Sequence, residues 1–387
     1  MQYRPFGRLG VQVSALGFGC MRLPVLGEPS KIDEPEAIRM IRHAIDSGVN
    51  YVDTAYPYHG GNSERVLGIA LQDGYRQRTN LATKMPVMKV TERDDFDRFF
   101  DEQLEKLQTD RIDFYLLHAL GQKSWEFVRD LGVIRWAEGK RASGQIGHLG
   151  FSFHDTHAAF RSIVDDYDGW EFCQVQYNYM DEELQAGTRG VEYAAEKGLG
   201  VVVMEPLLGG QLATPPAAVQ EILDRAERKR SGAEWGLQWV WNHPEVSIVL
   251  SGMSTMDQVV QNLASADRSG VGSLTAEELR LVAMARDKFD ELYPIGCTQC
   301  LYCMPCPNGV DIPTNNLTFN RGIAMDQLKT ARFRYGAFVR KPASACIQCR
   351  ECEEKCPQGL PIGDWMPVID QVLGQNADYD PAMAPTR

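Results

Sequence analysis

Two sets of residues in this chain of 387 have the types and spacing to do chemistry. The first is a doubled cysteine run: Cys297-Thr-Gln-Cys-Leu-Tyr-Cys-Met-Pro-Cys306-Pro, then Cys346-Ile-Gln-Cys-Arg-Glu-Cys-Glu-Glu-Lys-Cys356-Pro. Thiolates at steps of three wrap one face of a [4Fe–4S] cube, and a fourth cysteine before proline serves the other cube where two are present. The second run has that spacing in full; the first is one residue shorter before its last cysteine. The crossed pattern would give one cluster Cys297, Cys300, Cys303 and Cys356, and the other Cys346, Cys349, Cys352 and Cys306. Zinc also takes four thiolates, but usually from two CxxC pairs across a longer loop. Two clusters are therefore favoured over one cluster or a zinc site.

Eight of the ten cysteines lie in this region, with only Cys20 and Cys173 outside it. Disulfide frameworks spread across a small secreted domain, so the clustering argues for metal in a reducing compartment. Cys20 and Cys173 read as buried strand residues.

The second set is Asp53, Tyr58, Lys84 and His118. Together they can protonate a carbonyl while hydride arrives from elsewhere. A tyrosine has an ordinary pKa near 10, high for an acid at neutral pH. A lysine cation beside it would stabilise the tyrosinate and lower that value, with an aspartate holding the ammonium in place. His118 would orient the substrate oxygen by a hydrogen bond. Tyr56 competes with Tyr58 for the acid's role.

These residues need a frame, and the chain supplies one. Short apolar runs alternate with amphipathic stretches: Ala15–Cys20, Asn50–Asp53, Asn80–Lys84, Ile112–His118, Ile146–Ser152, Phe172–Tyr177, Gly200–Met204 and Val246–Ser251. Each reads as a buried parallel strand. Helical patterns lie between, as in Glu34–Ile45 with Ser47-Gly48 as its stop. Eight β-then-α units predict an α/β fold, a (β/α)8 TIM barrel, whose strands end at the active site. A doubly wound sheet would announce itself by GxGxxG after the first strand, and Gly17-Phe-Gly-Cys has none. Asp53, Lys84 and His118 close three consecutive strands.

The expected domains are the barrel over 1–290, a small, mostly α-helical iron–sulfur domain over 291–373, and a flexible tail over 374–387. A helix over Thr275–Phe289 opens with a capping box, Thr275-x-x-Glu278. The spacer Val310–Lys341 has helical stretches such as Ile323–Phe333. The doubled cysteine motif is the one internal repeat beyond the β/α alternation. A net charge of -12 argues against nucleic acid or an anionic membrane as partner. The N-terminus has no signal-peptide pattern and no apolar run is long enough to span a membrane. A cytoplasmic location is expected.

Over about residues 1–290 the chain resembles the aldo-keto reductases. The matching motifs are Phe6-Gly-Arg-Leu-Gly-Val-Gln-Val-Ser-Ala-Leu-Gly-Phe-Gly, Val52-Asp-Thr-Ala-Tyr-Pro-Tyr58 with Asn62-Ser-Glu-Arg-Val-Leu-Gly68, Thr83-Lys84, and Asp113-Phe-Tyr-Leu-Leu-His118. The resemblance implies a catalytic tetrad of Asp53, Tyr58, Lys84 and His118, its spacing picking Tyr58 over Tyr56. It also implies a nicotinamide cofactor, NADH or NADPH, across the barrel mouth. Cofactor positions carried over are Ser152, Gln174, Pro206, Leu207, Gly209, Ser251, Gly252, Gln258 and Asn262. Two departures stand out: the family's Asn after Ser152 is missing from Gly150-Phe-Ser-Phe-His154, and Met204-Glu205-Pro206-Leu207 lacks its stacking Tyr. The Lys or Arg often used for a 2′-phosphate is absent from Gly252 to Gln258. Tyr56, Trp125, Phe153 and Tyr179 are candidates to wall an apolar substrate pocket. The cysteine region resembles dicluster ferredoxin modules.

The function expected is an NAD(P)-dependent oxidoreductase that interconverts a small-molecule carbonyl and alcohol. Its two [4Fe–4S] clusters would be structural or would pass electrons, in the latter case with a redox partner protein. The alternative is an electron carrier or redox sensor whose barrel is idle.

Overall fold

Eight parallel strands close on themselves in the computed structural model, which describes residues 1–339 and 341–385. A hairpin of β1 (Tyr3–Pro5) and β2 (Gln12–Ser14) precedes them. The barrel strands are β3 (Leu16–Gly19), β4 (Tyr51–Asp53), β5 (Asn80–Met85), β6 (Ile112–Leu120), β7 (Ile146–Phe153), β8 (Phe172–Gln176), β9 (Gly200–Met204) and β10 (Val246–Gly252). All eight expected strands are present, and the barrel closes by pairing of β10 with β3.

Helices α1 (Glu34–Asp46), α2 (Ser63–Ala70), α3 (Asp95–Leu107), α4 (Gln122–Asp130), α5 (Val133–Ala142), α6 (His157–Asp165) and α7 (Gly187–Glu196) follow successive strands. After β9 come α8 (Ala217–Leu223) and α9 (Gly232–Trp241), and after β10 come α10 (Met256–Ala266) and α11 (Ala276–Glu291). Helix α1 starts where its sequence says it should. Asp33 accepts from Glu36 N at 3.3 Å, Pro35 sits in the first turn, and Ser47-Gly48 ends it. The expected capping box on α11 also forms, with Thr275 and Glu278 bonded reciprocally at 2.9 and 3.2 Å.

The end of the barrel where the strands begin is filled by apolar side chains. Tyr51, Phe114, Phe172, Val202, Ile248 and Leu250 make its core, and the hairpin inserts Phe6 among them. The Phe6 ring meets Phe114 edge-on at 5.0 Å. That plug leaves the opposite end, where strands finish, for polar groups.

Contacts divide the chain into two compact units: residues 1–213 with 233–279, and residues 214–232 with 280 onward. This differs from an expected boundary at 290 and draws in the segment after β9. The second unit contains α8, α12 (Ile312–Ala324), α13 (Leu328–Phe338), α14 (Glu351–Glu354) and α15 (Ile362–Ile369). The helix expected across Ile323–Phe333 is instead two, broken at Asp326, whose φ is 50°. Gly322 permits the turn-back, since a Cβ there would lie 2.6 Å from that of Ala331.

Residues 374–385 are not the loose tail their composition suggests. Tyr379 packs edge-on against Phe319 at 5.2 Å, Met383 and Ala384 join the same apolar core, and Arg332 donates to Ala377 O at 2.7 Å. A few apolar residues, spaced to reach one core, outweigh the polar ones between them. Among the described residues no helix is long and apolar enough to cross a membrane.

Candidate active site and thiolate hollows

Asp53 is the last residue of β4, and in the register of β4 with β5 it pairs with Ala82. Alternation along β5 puts Lys84 on the same face as Ala82, one step nearer the mouth. Lys84 Nζ donates to both Asp53 carboxylate oxygens and to Thr54 O, each at 2.7 Å. These acceptors are what let a side chain only 1% exposed stay charged. Burial pulls the Lys84 pKa down, but Asp53 and Tyr58 more than offset it and leave the group above its ordinary value.

Tyr58 stands beside the ammonium, its ring centroid 5.1 Å from Nζ. It begins a tight turn in which His59 and Gly60 take φ of 52° and 66°. The His59 ring holds that turn: Nδ1 donates to Pro29 O at 2.7 Å, and Nε2 accepts from Leu23 N at 3.2 Å. The sequence alone predicts that Lys84 lowers the Tyr58 pKa. Burial instead pushes the phenol up, and Lys84, opposed by Asp53, pulls it back only in part. The phenol is a proton store at neutral pH.

The His118 ring stands edge-on to Tyr58 at 6.0 Å. Burial, Lys84 and His154 hold its pKa well below the ordinary value, so the imidazole is neutral. Its position is set by the next residue: Ala119 takes a φ of 53°, and its N–H donates to Ser152 Oγ at 2.7 Å. Ser152, assigned by resemblance to the cofactor, thus also anchors the histidine. Asp53, Tyr58, Lys84 and His118 are brought together; Tyr56 is not. Tyr56 donates to Glu102 Oε2 at 2.7 Å, with Lys106 Nζ 3.9 Å from its ring.

Beneath the lysine lies a layer that sequence reasoning missed. Glu64, fully buried, accepts from Thr83 Oγ1 and Gln103 Nε2 at 2.7 Å. Gln103 also donates to Lys84 O at 3.0 Å and accepts from Tyr115 at 2.7 Å. A glutamate within an amphipathic helix gives no signal by itself, but Glu64 one place after Ser63 faces inward with Leu67.

The proposed cofactor positions ring the same mouth. Gln174 in β8 is buried with Oε1 unpartnered among the described residues. Pro206, Leu207 and Gly209 follow β9 in a loop where Glu205, Leu208, Gly209 and Gly210 all have positive φ. Gln211 in that loop is 1% exposed, and neither atom of its amide has a partner among the described residues. Asn262 donates to Ser251 Oγ at 2.9 Å. Gln258 Oε1 accepts from Ser254 N at 2.8 Å, at the start of α10. Beside Gly252, in the segment that lacks a cation of its own, lies Arg22, its stem 3.2 Å from where a Cβ would stand. Only the fold could reveal that, since the two are far apart in sequence.

The substrate-wall candidates fall differently. Trp125 packs on Trp170 at 5.4 Å and donates to Asp166 at 2.8 Å, Phe153 packs on Phe160 at 5.1 Å, and Tyr179 is buried near Trp239. These are core contacts. Cys20 and Cys173 are buried as expected, and burial drives both thiols far up.

In the second unit the eight cysteines ring two hollows. One is lined by Cys297, Cys300, Cys303 and Cys356. The other is lined by Cys306, Cys346, Cys349 and Cys352. No three His, Cys, Asp or Glu side chains converge at single-ion distance among the described residues. Gln299 Nε2 donates to Cys297 Sγ at 3.4 Å, and Gln348 N to Cys346 Sγ at 3.3 Å.

A closed β/α barrel with a buried lysine–aspartate pair at its mouth, joined to a thiolate-rich unit, defines an oxidoreductase. Residues 15–280 match the aldo/keto reductase family, to which the chain belongs, and residues 296–360 match a 4Fe-4S dicluster domain. It is similar to L-galactose dehydrogenase of Arabidopsis thaliana, at 28% identity over 298 residues, 68% of this chain and 88% of the relative. It is also similar to the uncharacterized oxidoreductase YrpG of Bacillus subtilis, at 25% identity, covering 73% of this chain and 95% of the relative. Among solved structures, the holo form of aldo-keto reductase AKR11C1 from Bacillus halodurans superposes with a TM-score of 0.60 at 27% identity, covering 74% of this chain and 96% of that one.

Proposed function

We propose that the barrel interconverts a carbonyl and an alcohol with NADH or NADPH, and that the second unit holds two [4Fe–4S] clusters. The observation that carries the first part is Lys84, paired with Asp53 and Thr54 while standing beside Tyr58. Tyr58 holds the proton that a nascent alkoxide needs, and the fixed ammonium stabilises the phenolate left behind. His118, being neutral, orients the carbonyl oxygen by hydrogen bonding without competing for that proton. The residues fit a dinucleotide: Gln174 and Gln211 are buried amides awaiting polar partners, and Ser251, Gly252, Gln258 and Asn262 surround the start of α10. Gly209 and the positive-φ loop would follow the phosphates, with Arg22 available to a 2′-phosphate. When bound, the nicotinamide supplies or accepts the hydride.

The crossed cysteine sets fit two clusters. Cysteines in triplets at steps of three, each run closed by Cys-Pro, suit clusters better than zinc, which usually takes two CxxC pairs across a longer loop. Cys297, Cys300, Cys303 and Cys356 would hold one cluster, and Cys346, Cys349, Cys352 and Cys306 the other. When bound, the clusters supply one-electron exchange. A structural role and an electron-carrying role, the latter with a partner protein, are two outcomes of one experiment. Protein reconstituted without oxygen is mixed with NADH or NADPH and with carbonyl substrates, and L-galactose is tried in the reverse direction. Nicotinamide absorbance reads turnover, and EPR reads the clusters. Turnover abolished by Tyr58→Phe supports the reading; turnover indifferent to it sinks the tetrad.

A further inference from the structure

The two hollows are built on one frame repeated about fifty residues apart, a repeat that extends past the cysteines. Cys306-Pro-Asn-Gly-Val-Asp-Ile312 and Cys356-Pro-Gln-Gly-Leu-Pro-Ile362 follow the same plan. Gly309 and Gly359 both take positive φ, 75° and 60°, each donating to the carbonyl of the cysteine three before it. Gln299 and Gln348 share a φ of 56°, and their side chains donate to Pro313 O and Gly363 O at 3.0 and 3.1 Å. Helices α12 and α15 begin at the equivalent residues Ile312 and Ile362, each of which lines both hollows.

Against so regular a frame the differences carry information. Where the first hollow has Thr298 and Asn316, the second has Ile347 and Met366. Asn316 is 1% exposed, its Oδ1 is enclosed without a partner, and its side chain makes no hydrogen bond among the described residues. Asn316 lines the first hollow, where a side-chain amide can donate to the sulfur atoms of a loaded cluster. The charges differ in the same sense. The second frame carries Glu351, Glu353 and Glu354 against Arg350 and Lys355, and Arg350 is already paired with Glu353 at 3.1 Å and with Asp364. The first frame has Leu301 and Tyr302 at the positions of Arg350 and Glu351. Hydrogen bonds to sulfur raise a cluster's reduction potential, and nearby negative charge lowers it.

We propose that the two clusters sit at separated potentials, that the one held by Cys297, Cys300, Cys303 and Cys356 takes the first electron, and that Asn316 sets much of the gap. This rests on the two-cluster reading above. Each step adds one electron from dithionite to one cluster, with no bond or proton transferred.

The test uses the full reconstituted chain under stepwise reduction, followed by EPR. Iron and sulfide analysis comes first: about eight irons per chain are expected for two clusters, and about four would overturn the two-cluster reading itself and this proposal with it. With two clusters present, two midpoints are expected, apart by at least a tenfold ratio of equilibrium constants, which is about 59 mV for one electron. Cys300→Ser should alter the spectrum of the higher-potential signal, and Cys349→Ser that of the lower. Asn316→Met should move the higher midpoint negative and leave the lower in place, while Met366→Asn should raise the lower. Thr298→Ile gives the same direction of shift if Asn316→Met does not load iron. A single shared midpoint, or a high-potential signal assigned to Cys349, overturns the proposal. So does a higher midpoint indifferent to both Asn316→Met and Thr298→Ile.

Discussion

Lys84 Nζ and the carboxylate of Asp53 meet at 2.7 Å through both oxygens, across neighbouring strands and out of reach of solvent. The pair fixes the ammonium as a positive pole in place before any substrate arrives. Lys84→Met removes the pole and strands a buried carboxylate, at a cost of about 3–5 kcal/mol in stability. Tyr58→Phe removes only a hydroxyl. It should cut carbonyl turnover by about 10²–10⁴-fold while the melting transition and the visible iron–sulfur absorption stay put. Steady-state kinetics beside a thermal melt distinguishes the two variants.

The neutral His118 makes a second prediction. Its folded pKa is depressed by burial, Lys84 and His154, so it carries no proton from the ordinary imidazole value upward. The rate of carbonyl reduction should be flat between about pH 6 and 8, with no inflection near 6.5. Stability has the corresponding sign: this group's contribution is intact above the unfolded pKa and is lost as pH falls below it. On the alkaline side Tyr58, pushed up by burial, keeps its proton past its ordinary value near 10, and reduction should decline only beyond that point. A kinetic inflection near 6.5 that disappears in His118→Asn would show a charged imidazole instead.

Gln103 joins four groups that have few alternatives: Glu64, Thr83, the carbonyl of Lys84 and the hydroxyl of Tyr115. Gln103→Ala leaves several of them buried and unpaired. We expect a loss of about 3 kcal/mol in urea unfolding followed by tryptophan fluorescence. Gln103→Glu puts a second buried carboxylate beside Glu64 and should cost more.

Arg22, which lies against Gly252, is the cation we propose for a 2′-phosphate. Arg22→Ala should raise KM for NADPH about tenfold or more, the value of one charge-assisted contact, and leave KM for NADH nearly unchanged. Equal effects on both would remove Arg22 from the adenosine end of the site.

Cysteines also pack against the apolar core of the second unit, among them Cys297, Cys303, Cys346 and Cys356. Stripping iron with a chelator should therefore unfold that unit at lower denaturant while the barrel's transition persists, since metal binding supplies folding free energy. Hydrogen exchange, mapped to residues 296–373 and to the barrel strands separately, reads the difference.

Much of this is legible in the sequence because burial on both faces makes barrel strands nearly continuous apolar runs. Asp53, Lys84 and His118 are conspicuous as the polar residues that end such runs, and the cysteines by step size alone. The features hidden from the sequence depend on contacts between distant segments. Arg22 gives no sign of its place beside Gly252, and Trp125 looks like a pocket aromatic until Trp170 is found against it. The turn at Asp326 follows from how closely Gly322 and Ala331 approach. The tail looks loose because composition averages over Tyr379 and Met383, the residues that fasten it. The longer repeat is present in the letters, as Cys306-Pro-Asn-Gly and Cys356-Pro-Gln-Gly, but only the matched φ angles and hydrogen bonds show that it has a common geometry.

Cys306 lines the hollow of the later run, and Cys356 that of the earlier one. Neither run therefore owns a complete cage. A truncation after the first would take Cys356 from the earlier hollow along with Cys346, Cys349 and Cys352 from the later one. The exchanged cysteines make each hollow depend on both halves of the repeat.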